Sequence, residues 1–312
     1  MSDNLRIGVP SKGRLAEQAA QLLVEAGLKF RRQDRSLFAR VRDMPIEVTF
    51  LRTDDIPVLC AEGAIDMGIT GGDLIEETGV QVQTRLPLGM GSWRLAICVP
   101  EDSGIHKPAD LAGRRIATSF PNVTRKYLAK HKVDEAHIVE LTGSVEVMIA
   151  LGVADAIVDL VETGSTLAAN RLTVLDELGR YEAALIQNSA TKHAQLADRV
   201  VRRLEGVVIA RAYSLLEYNV PEAKLAEAEK ITPGFESPTV NKLEEAGWYA
   251  VRAMVKSSEV IEIMERLEAL GASAILDVTR HASTDSGPHW RSLVGRLTFA
   301  AFRYLLSTHV CH

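Results

Sequence analysis

Residues 146–167, EVMIALGVADAIVDLVETGSTL, decide the fold. Val147, Ala150 and Leu151 recur at helical spacing, and Gly152 supplies a residue suited to closing the last turn. Residues 154–161 then run apolar for the length of a strand, interrupted only by Asp155 and Asp159, as in a parallel strand covered on both faces. Glu162, Thr163, Gly164, Ser165 and Thr166 follow, and a helix starts near Leu167. A strand entering a Gly- and hydroxyl-rich turn ahead of a helix gathers backbone N–H groups and hydroxyls at one spot, which suits a phosphate. Asp159 and Glu162, at the strand's end, are placed to accept hydrogen bonds from two neighbouring hydroxyls. The local pattern therefore describes a ribose 5-phosphate site, and it equally fits a plain helix cap beside a solvated strand end.

Outward from this stretch, β and α patterns alternate. Strands are predicted over 5–9, 46–51, 66–70 and 93–99, and helices over 15–26, 54–62 and 74–77, with Gly27, Gly63 and Gly79 as stops. Such alternation implies a mostly parallel, helix-covered sheet. Pro100-Glu101-Asp102-Ser103-Gly104 reads as a polar connection, which puts a domain boundary near residue 100. The pattern restarts with strands at 115–118 and 137–141 around a helix at 124–130. Strands at 172–175 and 184–186 and a helix at 195–204 come next. After Gly206 the order becomes strand 211–218, helix 221–229, strands 239–243 and 248–255, helix 259–270 and strand 274–276. That βαββαβ order is the ferredoxin-like arrangement.

Bulk properties exclude several classes. The 312 residues exceed one typical domain; 46% are hydrophobic, 25% are charged, and the formal net charge is −5. This balance describes a folded, non-membrane chain with no general affinity for nucleic acid. No apolar leader opens the sequence and no 18-residue apolar run follows, so a cytoplasmic location is expected. Cys60, Cys98 and Cys311 are odd in number and far apart, as reduced thiols are, and no metal-ligand spacing joins them to the eight histidines.

Glu146, Gly152, Ala154, Ile157, Asp159-Leu160, Thr163-Gly164 and Thr166-Leu167 together resemble the signature of the ATP phosphoribosyltransferases, enzymes of the first step of histidine biosynthesis. Pro10-Ser11-Lys12-Gly13-Arg14-Leu15, Leu51-Arg52-Thr53-Asp54-Asp55-Ile56-Pro57, Gly68-Ile69-Thr70-Gly71-Gly72-Asp73-Leu74 and Ile231-Thr232-Pro233-Gly234-Phe235-Glu236-Ser237-Pro238-Thr239 resemble the same family, and the likeness covers residue 5 to about residue 276. It implies a two-lobed α/β core like the type II periplasmic binding proteins, followed by an ACT-like, ferredoxin-like regulatory domain. The catalytic domains would be 1–99 with 184–212 and 100–183, the regulatory domain 213–280, and 281–312 an atypical tail. The implied reaction joins N1 of ATP to the anomeric carbon of phosphoribosyl pyrophosphate, with Mg²⁺ assisting and pyrophosphate leaving.

The resemblance also implies site residues. Asp159 would hold the ribose hydroxyls and residues 162–166 the 5-phosphate; Thr70 and Asp73 would lie near the adenosine. Lys12, Arg14 and Arg52, each at the end of a first-lobe strand, are the cations for pyrophosphate and triphosphate, although a lone surface Lys or Arg usually serves solubility. Asn219, Thr239, Met254 and Ala274 would surround inhibitory histidine, with Asn219 where the family often has Asp. A homo-oligomer, dimer and hexamer, is implied. Trp93 and Trp248 are read as packing. Beyond Leu276 the likeness fails, and a shifted reading frame or a lineage-specific helix would each produce residues 281–312, leaving the last strand and histidine inhibition open.

Overall fold

The computed structural model describes residues 3–33, 36–143, 145–161 and 165–278. The expected tail, residues 281–312, lies outside them. The chain divides into two units at the step from Val208 to Ile209.

In the first unit, β1 (Leu5–Pro10), α1 (Arg14–Glu25), β2 (Phe38–Arg40), β3 (Ile46–Leu51), α2 (Ile56–Ala61), β4 (Met67–Gly71), α3 (Gly72–Thr78) and β5 (Gln83–Pro87) come first. The chain then crosses to β6 (Trp93–Pro100), β7 (Arg115–Thr118), α4 (Pro121–Lys130), β8 (His137–Glu140), α5 (Val147–Ala150), β9 (Ala156–Val161), α6 (Ser165–Ala169) and β10 (Leu172–Tyr181). It returns through β11 (Ala183–Gln187) and leaves by α7 (Ala194–Ala212).

Two sheets result, ordered β2-β3-β1-β4-β11-β5 and β10-β6-β9-β7-β8. In the first, β1 runs parallel to β3 and β4, while the returning β11 is antiparallel to β4. In the second, β7 runs parallel to β8 and β9, while the arriving β6 is antiparallel to β9. Each lobe thus has a parallel centre closed by a strand the chain inserts after crossing. This is the two-lobed layout of the type II periplasmic binding proteins.

Alternation and burial explain the elements. In α1 the buried Ala19, Leu22 and Leu23 form one stripe, and Gly27 ends the turn at φ 78°. β9 is covered on both faces, as its apolar run demands: Ala156 and Val158 enter one core cluster with Leu95 and Ile116, and Ile157 enters another with Ala117 and Cys98.

One boundary differs from the sequence reading. Trp93–Pro100 belongs to the second sheet, paired with β9 and β10, so the crossing falls before Trp93 and not near residue 100. The polar Pro100–Gly104 segment mimics a linker but is a turn inside the second lobe, whereas the true crossing carries Leu88 and Met90, both buried in the first lobe's core. The structure also lengthens α7 through Gly206 to Ala212, so the strand expected from Arg211 begins at Tyr213.

The second unit contains β12 (Tyr213–Pro221), α8 (Leu225–Ile231), β13 (Thr239–Lys242), β14 (Trp248–Lys256), α9 (Val260–Leu270) and β15 (Ser273–Asp277). Its antiparallel sheet runs β13-β14-β12-β15, the ferredoxin-like order. Leu216, Tyr218 and Val220 of β12 pack with Ala228, Ile263 and Leu267 from α8 and α9, which leaves the other face of the sheet without helices of this unit. The last strand, left open by the sequence, pairs Leu216 with Asp277 and Asn219 with Ser273.

Candidate active site

The cleft loops of the first unit leave carboxyl ends of parallel strands, where open α/β sheets bind ligands. After β1, Gly13 takes φ 81°, open to glycine at little cost, and Lys12 and Arg14 flank it. Arg52 directly follows β3, and β4 ends at Gly71, from which α3 opens with Gly72 and Asp73. From the second lobe come Ser119 and Phe120 after β7, Thr142 after β8, and Asp159 within β9, near its carboxyl end. Lys12, Arg14, Arg52, Asp73, Trp93 and Asp159 all line one cavity of ≈ 560 Å³, a size suited to a small-molecule ligand.

Asp73 is only 2% exposed, and its Oδ1 has no hydrogen-bond partner; neither has the buried indole nitrogen of Trp93. Burial pushes the Asp73 carboxyl up, and its own and Leu74's backbone N–H groups and the Trp93 indole offset only part of this. The indole lies close but outside hydrogen-bond geometry. Gly71 makes the arrangement possible, because a Cβ there would stand 2.1 Å from Asp73 Oδ1 and 3.0 Å from the Trp93 ring. A buried donor and a buried acceptor, both unpartnered on one cavity wall, are what a bound polar ligand satisfies.

Asp159 is also pushed up, by burial first and then by Glu146, while the Leu160 N–H donates to its Oδ1 at 2.8 Å. Arg52 lies 3.7 Å from Asp54, both side chains largely exposed, a contact too weak to hold the guanidinium away from a phosphate.

The structure therefore gathers Lys12, Arg14, Arg52, Asp73 and Asp159 in one cavity. Thr70 is elsewhere: fully buried, it donates to the Thr53 carbonyl at 3.3 Å and supports the loop after β3. Glu162, Thr163 and Gly164 lie outside the described residues. β9 ends at Val161, directly before them, and α6 opens at Ser165, directly after. Trp93 was read as packing and is a cleft residue. Its trace in the sequence is the preceding Gly91, held at φ 69°, where a Cβ would stand 2.6 Å from the Trp93 ring.

In the second unit, strand register puts Asn219, Thr239 and Met254 on the helix-free face, with Ala274 at the β12–β15 bulge at φ 50°.

Three cations after two first-lobe strands, on one cavity with a carboxylate of the other lobe, mark a two-lobed α/β protein whose cleft suits a phosphorylated small molecule. Comparisons make the assignment specific. The ATP phosphoribosyltransferase family model matches residues 52–206, and that for the HisG C-terminal domain matches residues 210–279. The ATP phosphoribosyltransferase of Rhodopirellula baltica is 63% identical over 275 residues, 88% of this chain and 92% of that one. That of Mycobacterium tuberculosis is 42% identical over 276 residues, 87% and 96% of the two chains. A solved ATP phosphoribosyl transferase (HisG:HisZ) complex from Thermotoga maritima superposes with TM-score 0.59 at 30% identity, covering 65% of this chain and 98% of that one. The chain belongs to the ATP phosphoribosyltransferase family, with its C-terminal domain. It is an enzyme of phosphoribosyl transfer to ATP, the committed step of histidine biosynthesis. Among the described residues no helix is long and apolar enough to cross a membrane.

Proposed function

We propose that ATP and phosphoribosyl pyrophosphate meet in the cavity between the lobes, with Asp159 accepting from the ribose hydroxyls and residues 162–166 cradling the 5-phosphate. Lys12, Arg14 and Arg52 take the pyrophosphate and triphosphate. The observation that carries this reading is the unpartnered Asp73 Oδ1 on a cavity wall with these cations and Asp159.

The chemistry follows from charge. The lone pair of adenine N1 forms a bond to the anomeric carbon while the bond from that carbon to the pyrophosphate oxygen breaks, its electron pair leaving with pyrophosphate. Positive charge then spreads over N1, C6 and the 6-amino group. Asp73 accepts a hydrogen bond from that amino group through Oδ1, and the bond strengthens as the charge develops, so it stabilises the transition state more than the bound substrate. The cations hold the growing negative charge on pyrophosphate.

Mg²⁺ supplies further charge neutralisation on pyrophosphate oxygens when bound. The donor set fits a metal carried by its substrate: Asp54 and Asp159 offer single carboxylates at the cavity, and no cluster of three potential ligands exists among the described residues. On the same reading the enzyme works in the cytoplasm.

The second unit is the seat of feedback inhibition by histidine, with Asn219, Thr239, Met254 and Ala274 at the ligand, in a homo-oligomer that forms dimers and hexamers. The helix-free sheet face that carries these residues supports this. Incubating the purified full chain with both substrates and Mg²⁺ tests the core of the proposal. N1-adduct absorbance and stoichiometric pyrophosphate are expected, and their absence from a folded sample overturns it.

A further inference from the structure

Helix α4 begins without a cap of its own. Its N-cap position is Phe120, which has no side-chain acceptor, and Pro121 fills the first turn. Its free N–H groups are instead taken by the other lobe: Asn122 N donates to Glu77 Oε1 at 3.0 Å and Oε2 at 3.1 Å, and Val123 N donates to Oε2 at 2.9 Å. Asn122 Nδ2 returns a bond to the Glu77 carbonyl at 3.0 Å, satisfying an end of α3. Each helix end therefore completes the other across the lobe boundary, and a carboxylate sits where the α4 dipole favours one.

The contact is reinforced. Leu74 of α3 packs against the second lobe's core, and Tyr181 Oη donates to Glu76 Oε2 at 2.8 Å beside the returning crossing. α3 also carries Asp73, and both Glu77 and Asp73 line the cavity. The helix that presents one reacting-site carboxylate is thus bolted to the lobe that presents the other, Asp159.

We propose that Glu77 is a positioning residue: by capping α4 it fixes the angle between the lobes before substrate arrives, and so sets the separation of the Asp73 and Asp159 walls. The inference rests on the cleft assignment above. Without the cap the lobes open further, and each substrate must spend binding energy to bring the walls together. The cost falls on binding, since once both substrates are held the chemistry is unchanged.

The experiment is steady-state kinetics of the full chain with Glu77→Ala and Glu77→Gln, beside hydrogen exchange and thermal unfolding. Expected for Glu77→Ala are a KM about tenfold higher for both ATP and phosphoribosyl pyrophosphate, kcat within about threefold, and faster exchange at Asn122 and Val123 with a near-native Tm; tenfold corresponds to about 1.4 kcal/mol. Glu77→Gln keeps an acceptor oxygen and recovers most of the loss. Unchanged KM values in a folded Glu77→Ala sample, or a fall in kcat alone, overturn the proposal. Should Glu77→Ala not fold, Asn122→Ala removes the reciprocal bond, together with an exposed bond from Arg125 within α4, and KM values unchanged there overturn it equally. Wild-type activity with both substrates is the control that separates failure of this proposal from failure of the cleft assignment.

Discussion

A buried carboxylate oxygen without a partner is expensive inside a protein, and Asp73 Oδ1 is kept in that condition in a residue 2% exposed. Its pKa in the folded chain lies above the ordinary 3.8 because of burial, so the folded state holds the proton more tightly than the unfolded chain does. The stability contributed by that proton is present below 3.8 and is lost as pH rises through the raised value. Asp73→Asn removes the ionisation, so it is expected to raise Tm at neutral pH. The same change replaces the acceptor aimed at the developing amidinium with a neutral amide, and kcat/KM for ATP should fall about a hundredfold. Calorimetry and pyrophosphate release on one sample read both effects. A variant that loses stability, or keeps full activity, refutes the reading of Asp73 as a group held ready for substrate. Trp93 shows why sequence was silent here: whether an indole N–H is satisfied depends on a neighbour twenty residues away along the chain, and period and composition do not encode it.

At the scale of elements, α7 illustrates both the reach of sequence patterns and their limit. Its apolar positions Ala197, Val200 and Leu204 are buried at helical spacing, and the helix continues through Gly206 to Ala212, beyond the 195–204 expected from sequence. A glycine inside a helix costs roughly 1 kcal/mol against alanine, less than the packing of Val207 and Val208 on the first-lobe core returns. Gly206 has helical backbone and a Cβ there meets nothing within 4 Å. Gly206→Ala is therefore expected to stabilise by about 0.5–1 kcal/mol in urea unfolding; destabilisation would show that the position is covered in the assembled protein. β9, α1 and the βαββαβ order were legible because each buries a face that repeats with its own period. β2 and β5 were not, being an edge strand of three residues and a strand whose residues are mostly exposed. The crossing was misplaced for a related reason: turn chemistry at Pro100–Gly104 is local, while the membership of β6 in a sheet is set by partners some sixty residues on. The cations and Asp159 were legible through the family motifs, and their convergence on one cavity was not.

At the scale of the whole molecule, the helix-free face of the second unit's sheet poses a geometric problem for a ligand as small as histidine. Asn219 pairs with Ala250 and Ser273, next to Ala274, whereas Met254 pairs with Leu215 and Thr239 with Arg252. Asn219 and Met254 thus stand four residues apart along the strands, ~13 Å, more than one amino acid bridges. The residues fall into two sets, Asn219 with Ala274 and Thr239 with Met254, and in the homo-oligomer proposed above one histidine site would need opposite sets from two copies of the chain. On the proposed reading, coupling to the catalytic unit would run through subunit packing that histidine binding biases. Two consequences are testable. Asn219→Asp supplies a carboxylate for the ligand's ammonium group, and a charge-assisted bond exceeds a neutral one by roughly 1 kcal/mol, so half-inhibition should occur at several-fold lower histidine. Asn219→Ala and Thr239→Ala should each abolish inhibition alone, yet oligomers co-assembled from the two variants should regain part of it, because some interfaces then carry one intact pair of sets. If co-assembly restores nothing while each variant still folds and turns over, one copy holds the ligand by itself, and the two-copy site is wrong.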